Sequence, residues 1–497
     1  VHETTDLEQT PRTSSFAADS LAIGMVVMLA LTIVQRGLGF FRGIWFCRLL
    51  DDHLVGQWAM AFGFVTMITP IMLLGMPGSL PRYVEHFRLR GQLSQLVRRL
   101  LGATIGCGAA FFAAMLLAPQ WFGWLIFLEP QNVTLIYSVG VAVASIVAFY
   151  FVHELVAALR QIRVASLMQF TQSVGFTIIG VSWLSTGGGL SGLVLSFALA
   201  TTIGILPGAY ALAVGWQGLE QSAEPFEATS MWRRLLPYAA ALWAMNLLTN
   251  VFELSDRYMI LHFTPGGELA GQAAVGQYHS GRIIPVLLMS LATMISGVLL
   301  PYLSADWEAG RKQAVKDFLR RVLLAMSVCF TLGAAVAMLL APRLFSALLQ
   351  DRYNAGLALM PMAFVFCIWS ALATVAQCYL FVHERGKLVA LAIGAGLIAN
   401  LSLNALLLPI WGLHGAVVAT LCSHGVVLIG IWLGLAGSDY GLDSTTFTIS
   451  ILPATLLAGP WIAIACVATA LAASRQAKQW VGEAIELVSS KRQAAAA

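Results

Sequence analysis

This chain predicts an all-α polytopic membrane protein built from two homologous six-helix bundles around a central cavity, and three observations carry that reading. Apolar residues make up 59% of the 497, charged residues only 10%, and mean hydropathy is +0.80, whereas about a quarter of a soluble domain is charged. Apolar runs near the ~20 residues needed to cross a bilayer recur along most of the length. Short strings also return half a chain later in the same order. Val55-Gly56-Gln57-Trp58 returns as Val275-Gly276-Gln277-Tyr278 and Leu80-Pro81 as Leu300-Pro301, Phe151-Val152-His153-Glu154 as Phe381-Val382-His383-Glu384, and Leu190-Ser191-Gly192 as Leu413-His414-Gly415.

The elements follow in order. Residues 1–19 form a polar cytoplasmic tail whose Glu3, Asp6, Glu8 and Asp19 are unlike the basic start of a cleaved signal peptide, so the first helix is expected to stay. The first bundle, 20–214, holds spans at 21–48, 56–80, 99–118, 132–152, 164–185 and 190–214. A cytoplasmic linker at 215–235 leads to the second bundle, 236–436, with spans at 236–263, 275–301, 322–341, 356–382, 388–409 and 414–435, about 12 core transmembrane helices in all. Residues 437–497 have no repeat partner and add an extra hydrophobic segment with a polar tail. Pro453 and Pro460 interrupt that segment, and Arg475, Lys478, Lys491 and Arg492 follow it. A thirteenth span would put those charges outside, against the positive-inside rule; a re-entrant segment would not.

Loop charge orients the frame. Arg82, Arg88, Arg90, Arg98 and Arg99, then Arg160 and Arg163, Arg233 and Arg234, Arg311, Lys312, Lys316, Arg320 and Arg321, and Arg385 and Lys387 all fall on one side, against Arg48, Arg343 and Arg352 on the other. The N-terminus is therefore expected in the cytoplasm. The net charge of +4 reads as a topology signal, and no nucleic-acid partner is expected. No loop has room for a catalytic domain, and there is no GxxxxGK phosphate loop, so neither an enzyme nor a cofactor is expected. The seven cysteines stand singly in apolar runs and read as packing residues. His153-Glu154 and His383-Glu384 lack the compact spacing of a ligand set, so no metal site is expected. Membrane lipids surround the protein, and it is expected to work as a monomer.

Two homologous bundles suggest a transporter that opens a central site to each side in turn, and four arginines inside apolar spans give that site a charge. Arg36 and Arg42 lie in the first span, Arg257 in the seventh and Arg282 in the eighth. An arginine at a helix centre costs about 2.5–3.5 kcal/mol on insertion scales, so it marks function by default; snorkelling of Arg42 to the outer surface is the plain alternative. Glu253 and Arg257 share a helical face at i,i+4 with Asp256 beside them. That cluster is either a structural ion pair or a gate coupled to H+ or Na+. Asn400 and Asn404, also i,i+4, are expected to hydrogen-bond a neighbouring helix.

Several strings together resemble one known group. Arg36-Gly37-Leu38-Gly39-Phe40-Phe41-Arg42, Arg48-Leu49-Leu50 and Val55-Gly56-Gln57-Trp58 are similar to the opening of the polysaccharide flippases of the multidrug/oligosaccharidyl-lipid/polysaccharide (MOP) exporter superfamily, the Wzx-like lipid-linked O-unit flippases. Glu253-Leu254-Ser255-Asp256-Arg257-Tyr258 resembles their seventh helix, and the series Asn400, Asn404, Pro409, Gly412, Gly415, Ala416, Ala419, Thr420 resembles their eleventh and twelfth. The resemblance runs from about residue 20 to 435. It implies a flippase of the bacterial cytoplasmic (inner) membrane that moves a polyprenyl-(pyro)phosphate-linked oligosaccharide outward, with first- and eighth-helix arginines lining the cavity. Alternatives are a peptidoglycan lipid-precursor flippase, although 56–80 carries no charge, and a MATE-like drug/cation antiporter, although 21–48 carries no acid. A polytopic glycosyltransferase would need a longer outer loop.

Overall fold

The computed structural model describes residues 21–349, apart from 75–79, 81–83, 85–86, 89 and 217–227, and residues 353–473. Every regular element among them is helical. The first helices are α1 (Leu21–Leu49), α2 (Asp52–Met72), α3 (Leu93–Leu117), the short α4 (Pro119–Phe127), α5 (Val133–Ala158), α6 (Ile162–Ser185) and α7 (Gly189–Trp216). They continue with α8 (Ala228–Phe263), α9 (Glu268–Arg282), α10 (Pro285–Glu308), α11 (Lys312–Leu349), α12 (Asn354–Val382), α13 (Gly386–Trp411) and α14 (Leu413–Ala436). After them come α15 (Ser444–Ala454), a 3-10 turn (Thr455–Ala458) and α16 (Pro460–Ala473). Ten of these helices, α2, α3, α5 to α7 and α10 to α14, are long and apolar enough to cross a membrane; α1 and α8 stand where the first and seventh spans are predicted. The protein is a multi-pass membrane protein.

The chain forms two compact units, one running through α7 to Val251 within α8, the other from Phe252 onward together with Asp51–Gly56. Each repeats one packing scheme. In the first unit α5 and α6 both pack on α7, and in the second α12 and α13 both pack on α14. The turns between the paired helices match as well: Arg160 and Glu384 both have positive φ (63° and 56°), as do Gly189 and Gly412 (60° and 55°). Duplication is thus visible in the backbone, but the Phe-Val-His-Glu strings fall off this frame: His153 and Glu154 lie inside α5, whereas His383 and Glu384 follow the end of α12.

The predicted eighth span, 275–301, is not one helix. Pro285 has no N–H to give the Gly281 carbonyl, and its ring crowds that carbonyl, so the helix breaks into α9 and α10 with Arg282 at the junction. On the other side of α9, the repeated glycine of the Val-Gly-Gln string has a shared purpose. A Cβ on Gly276 would lie 1.9 Å from the Asp52 carbonyl oxygen, and one on Gly56 would lie 1.9 Å from the Gln272 carbonyl oxygen. Within the second unit the two glycines thus let α9 and the first turn of α2 meet backbone to backbone, each against the residue one turn before the other glycine. Gly276→Ala must force these backbones apart, and we expect it to cost about 1–3 kcal/mol or more, read as a lower unfolding temperature in detergent. An unchanged temperature would mean that the contact yields freely.

The C-terminal hydrophobic segment folds as a bent helical pair. Asp443 caps α15 by accepting from the Thr446 N–H at 3.0 Å. Pro453 cannot donate to the Ile449 carbonyl, and that carbonyl instead accepts from Ser327 Oγ of α11 at 2.8 Å, while Ser450 O accepts from Trp369 Nε1 of α12 at 2.9 Å. Gly459, at φ 119°, turns the chain, and α15 and α16 touch each other as well as α11. The loop before α15 is held by basic side chains: Lys316 donates to Asp439 O, Arg385 to Gly437 O and Arg320 to Gly441 O at 3.3 Å. Among them burial raises the Tyr440 phenol above its ordinary pKa.

Candidate functional site

A carboxylate in a span must be paid for in hydrogen bonds, and Asp256 of α8, only 3% exposed, is fully supplied. Its Oδ1 accepts from Asn400 Nδ2 at 2.7 Å and Asn404 Nδ2 at 3.1 Å, both on α13. Its Oδ2 accepts from Tyr278 OH of α9 at 2.6 Å and from Thr420 Oγ1 of α14 at 2.8 Å. Ser255 Oγ donates to Asn400 Oδ1 at 2.9 Å, and Asn404 Nδ2 reaches the same oxygen at 3.1 Å. Four helices converge here because each contributes a side chain of the right reach: i,i+4 spacing puts both asparagines on one face of α13, and the 3.6-residue period turns Tyr278 toward α8. Buried polar networks are worth their cost only when satisfied. One atom is not, since the buried Asn404 Oδ1 has no partner among the described residues.

One turn beyond Tyr278, at the α9/α10 break, stands Arg282. Its NH1 donates to Tyr278 OH at 3.2 Å, and its guanidinium lies over the Tyr278 ring (4.9 Å) and the Phe366 ring (5.3 Å). Its Nε is buried without a hydrogen-bond partner among the described residues. A guanidinium packed on aromatic faces with a donor to spare is a ready receptor for a phosphate or carboxylate oxygen. Arg257 is half-buried within electrostatic reach of Arg282, Glu253 and Asp256, so the structure brings Arg257, Arg282 and Asp256 together. Glu253 is exposed, one turn before Arg257 on α8.

In the first unit the predicted arginines take different settings. Arg42 is held against α6: its NH1 donates to Ser173 O at 3.3 Å and to Thr177 Oγ1 at 3.5 Å, and its guanidinium covers the Phe176 ring at 4.5 Å. It does not run out to the surface. Arg36 is exposed on α1, with Tyr150 of α5 near enough to feel its charge. His153 takes a hydrogen bond with Gln169 at 3.0 Å beside Glu154, and His383 lies against Trp307 at 4.8 Å. Among the described residues no three His, Cys, Asp or Glu side chains gather as a metal site.

The duplication supplies an internal control. On the repeat frame, Trp58, Phe176 and Phe197 of the first unit hold the places of Tyr278, Asn400 and Thr420. They form a dry aromatic cluster, with ring centroids 5.6 Å (Trp58–Phe176), 6.3 Å (Trp58–Phe197) and 5.2 Å (Phe176–Phe197) apart. The first unit thus packs these three positions with aromatic rings, one of them under the Arg42 guanidinium, where the second unit uses polar side chains. Sequence reasoning named Asp256 and Arg282 but assigned Tyr278 and Thr420 no role; the signal was the change from Trp to Tyr between the two Val-Gly-Gln strings.

Comparison with known proteins agrees with this architecture. The model of the polysaccharide biosynthesis protein family matches residues 21–307, more than half of the chain. The uncharacterized membrane protein YabM of Bacillus subtilis is 26% identical over 201 residues, a match covering 39% of this chain and 37% of that protein. Among solved structures, the lipid II flippase MurJ in an inward closed conformation superposes with a TM-score of 0.67 at 11% identity, over 89% of this chain and 96% of MurJ. An inward-facing multidrug resistance MATE family transporter of the MOP superfamily gives 0.63 at 12% identity, over 84% and 98%. The chain belongs to the polysaccharide biosynthesis protein family and has the fold of the MOP superfamily transporters.

Proposed function

We propose that the protein is a flippase that carries a polyprenyl-(pyro)phosphate-linked oligosaccharide from the cytoplasmic to the outer leaflet of a bacterial inner membrane by alternating access, with its N-terminus in the cytoplasm. The observation that carries this reading is Arg282, a guanidinium boxed by Tyr278 and Phe366 whose buried Nε has no partner among the described residues. A cargo with an anionic head on a long apolar tail needs a cationic receptor inside the membrane. An organic-cation antiporter of this superfamily would be expected to carry its acid in the first helix, and none lies in α1. Arg257 would share the head, with Arg36 and Arg42 as first-unit partners for the same class of ligand. Asp256 is the coupling residue: Na+ beside its carboxylate, with the asparagine amides turned to present oxygen, would neutralise the charge next to Arg282. Glu253, exposed one turn away, would tune entry of the cation. The protein would act as a monomer and perform no chemistry on the glycan.

The test is reconstitution into proteoliposomes with fluorescent lipid-linked oligosaccharides of defined head. Transfer of a polyprenyl-pyrophosphate oligosaccharide to the opposite leaflet, well above that of protein-free vesicles, is expected. Transfer of the peptidoglycan precursor alone, or of organic cations alone, would replace this reading with the corresponding alternative.

A further inference from the structure

Asp256 and Arg282 make no hydrogen bond to each other among those of the described residues; one side chain stands between them. Tyr278 OH donates to Asp256 Oδ2 at 2.6 Å and accepts from Arg282 NH1 at 3.2 Å, so a single hydroxyl serves both charges. A phenol has one proton to give. While the carboxylate is charged, that proton is committed to it, the oxygen is polarised toward the guanidinium, and Arg282 is partly neutralised through the bridge. When a cation occupies the carboxylate, the phenol loses its strong acceptor, its oxygen becomes a poorer partner for NH1, and Arg282 is freed for an external anion. We propose that Tyr278 is the positioning residue that links cation occupancy at Asp256 to anion affinity at Arg282. This rests on the flippase reading above and names the residue through which its two charges communicate.

Three further observations favour a link through Tyr278. The place it holds is filled in the first unit by Trp58, which has no hydroxyl and sits among Phe46, Phe62, Phe176 and Phe197, so the hydroxyl belongs only to the unit that holds the carboxylate. The α9 helix that carries it is fixed backbone to backbone at Gly276, two residues away, which holds the ring in place while the hydrogen bonds change. Both charges also border the same ring, since Arg282 lies over its face at 4.9 Å. Other groups surround the pair: Glu253 and Arg257 on α8, His279 on α9, Cys367 beside Arg282 on α12, and His424 on α14; α13 contributes only the neutral Asn400 and Asn404. Tyr278 is the side chain whose one hydroxyl bonds to both Asp256 and Arg282.

Linkage makes the proposal measurable, because a cation that raises anion affinity must itself bind more tightly when the anion is present. Binding of farnesyl pyrophosphate to the full chain in nanodiscs is measured across a Na+ series at fixed pH and ionic strength. Wild type is expected to gain about fivefold or more in affinity as the cation site fills. Tyr278→Phe should retain binding but show less than about a twofold gain, because the bridge is gone while Thr420 and the two asparagines still satisfy the carboxylate. Thr420→Val, which removes the other Oδ2 donor without touching Arg282, should shift the cation concentration at which the gain occurs and keep its size. Asp256→Asn, with Tyr278 intact, should bind as the cation-saturated wild type does at every ion concentration. A full gain in folded Tyr278→Phe, as judged by an unchanged size-exclusion profile, would overturn the link while leaving the flippase reading standing. So would weak, ion-independent binding by Asp256→Asn, and that arm decides the matter if the Phe variant does not fold. Wild-type binding with no ion dependence would overturn the link together with the coupling. No binding of the pyrophosphate by wild type would overturn the anion-site reading itself.

Discussion

Arg282→Ala is expected to lower the rate of lipid-linked oligosaccharide flipping by about 100-fold while the protein still inserts and folds. The variant removes a charge-assisted partner of the cargo head, and a loss of that size corresponds to about 2.7 kcal/mol, within reach of one desolvated guanidinium–phosphate contact. It should not unfold the second unit. Arg282 gives the structure a hydrogen bond to Tyr278 OH and two ring contacts, and Tyr278 keeps its bond to Asp256 without it. Lysine should rescue only in part, because an ammonium is a point charge that cannot offer the guanidinium's fork of donors. Initial flipping rates in proteoliposomes, normalised to inserted protein, measure this directly. Rates within twofold of wild type for Arg282→Ala would leave the arginine a packing residue and remove the central support for an anion site.

The contrast between Arg282 and Arg42 shows what a sequence can and cannot convey about such sites. Both are arginines inside apolar runs, and intramembrane cost alone ranks them equally. The fold separates them: Arg42 gives its donors to Ser173 O and Thr177 Oγ1, whereas Arg282 keeps Nε unused among the described residues. That difference depends on helices 131 and more residues away, beyond any local pattern. The twelve-helix frame was legible because hydrophobic length and repeated strings are properties of the chain itself. The break at Pro285 was written in the sequence too, but a run of apolar residues on both sides masked it. Asp256 illustrates the intermediate case. Its charge in an apolar run is plain, and the i,i+4 spacing of Asn400 and Asn404 predicts a bond to a neighbouring helix, but that the neighbour is α8 and the acceptor Asp256, 144 residues before Asn400, follows only from packing. Glu253, one turn from Arg257 and grouped with Asp256 by sequence, is exposed, because residues one turn apart on a helix face different neighbours along its axis.

Asp256 itself should separate stability from coupling when it is changed in two ways. Asp256→Ala leaves four donors, Tyr278 OH, Thr420 Oγ1 and the amides of Asn400 and Asn404, facing a small cavity in a buried site. Stranding even two of them costs about 2–6 kcal/mol, so the alanine variant is expected to lose about 3 kcal/mol or more and to show a clearly lower unfolding temperature in detergent. Asp256→Asn is nearly the same shape and keeps an oxygen for the asparagine amides, while the Tyr278 and Thr420 hydroxyls can rotate to accept from its new N–H groups. It should fold with little loss yet transport with a flat dependence on Na+, because the carboxylate that the ion would neutralise is gone. If Asp256 were purely structural, asparagine would lower protein yield and leave the remaining activity with the wild-type ion profile. An unchanged profile in both Asp256→Asn and Glu253→Gln, at constant protein amount, would take ion coupling away from this site and leave the carboxylate as a tie between α8, α9, α13 and α14. The aromatic cluster at the matching place in the first unit argues for the other outcome, since Trp58, Phe176 and Phe197 tie the helices there without a carboxylate.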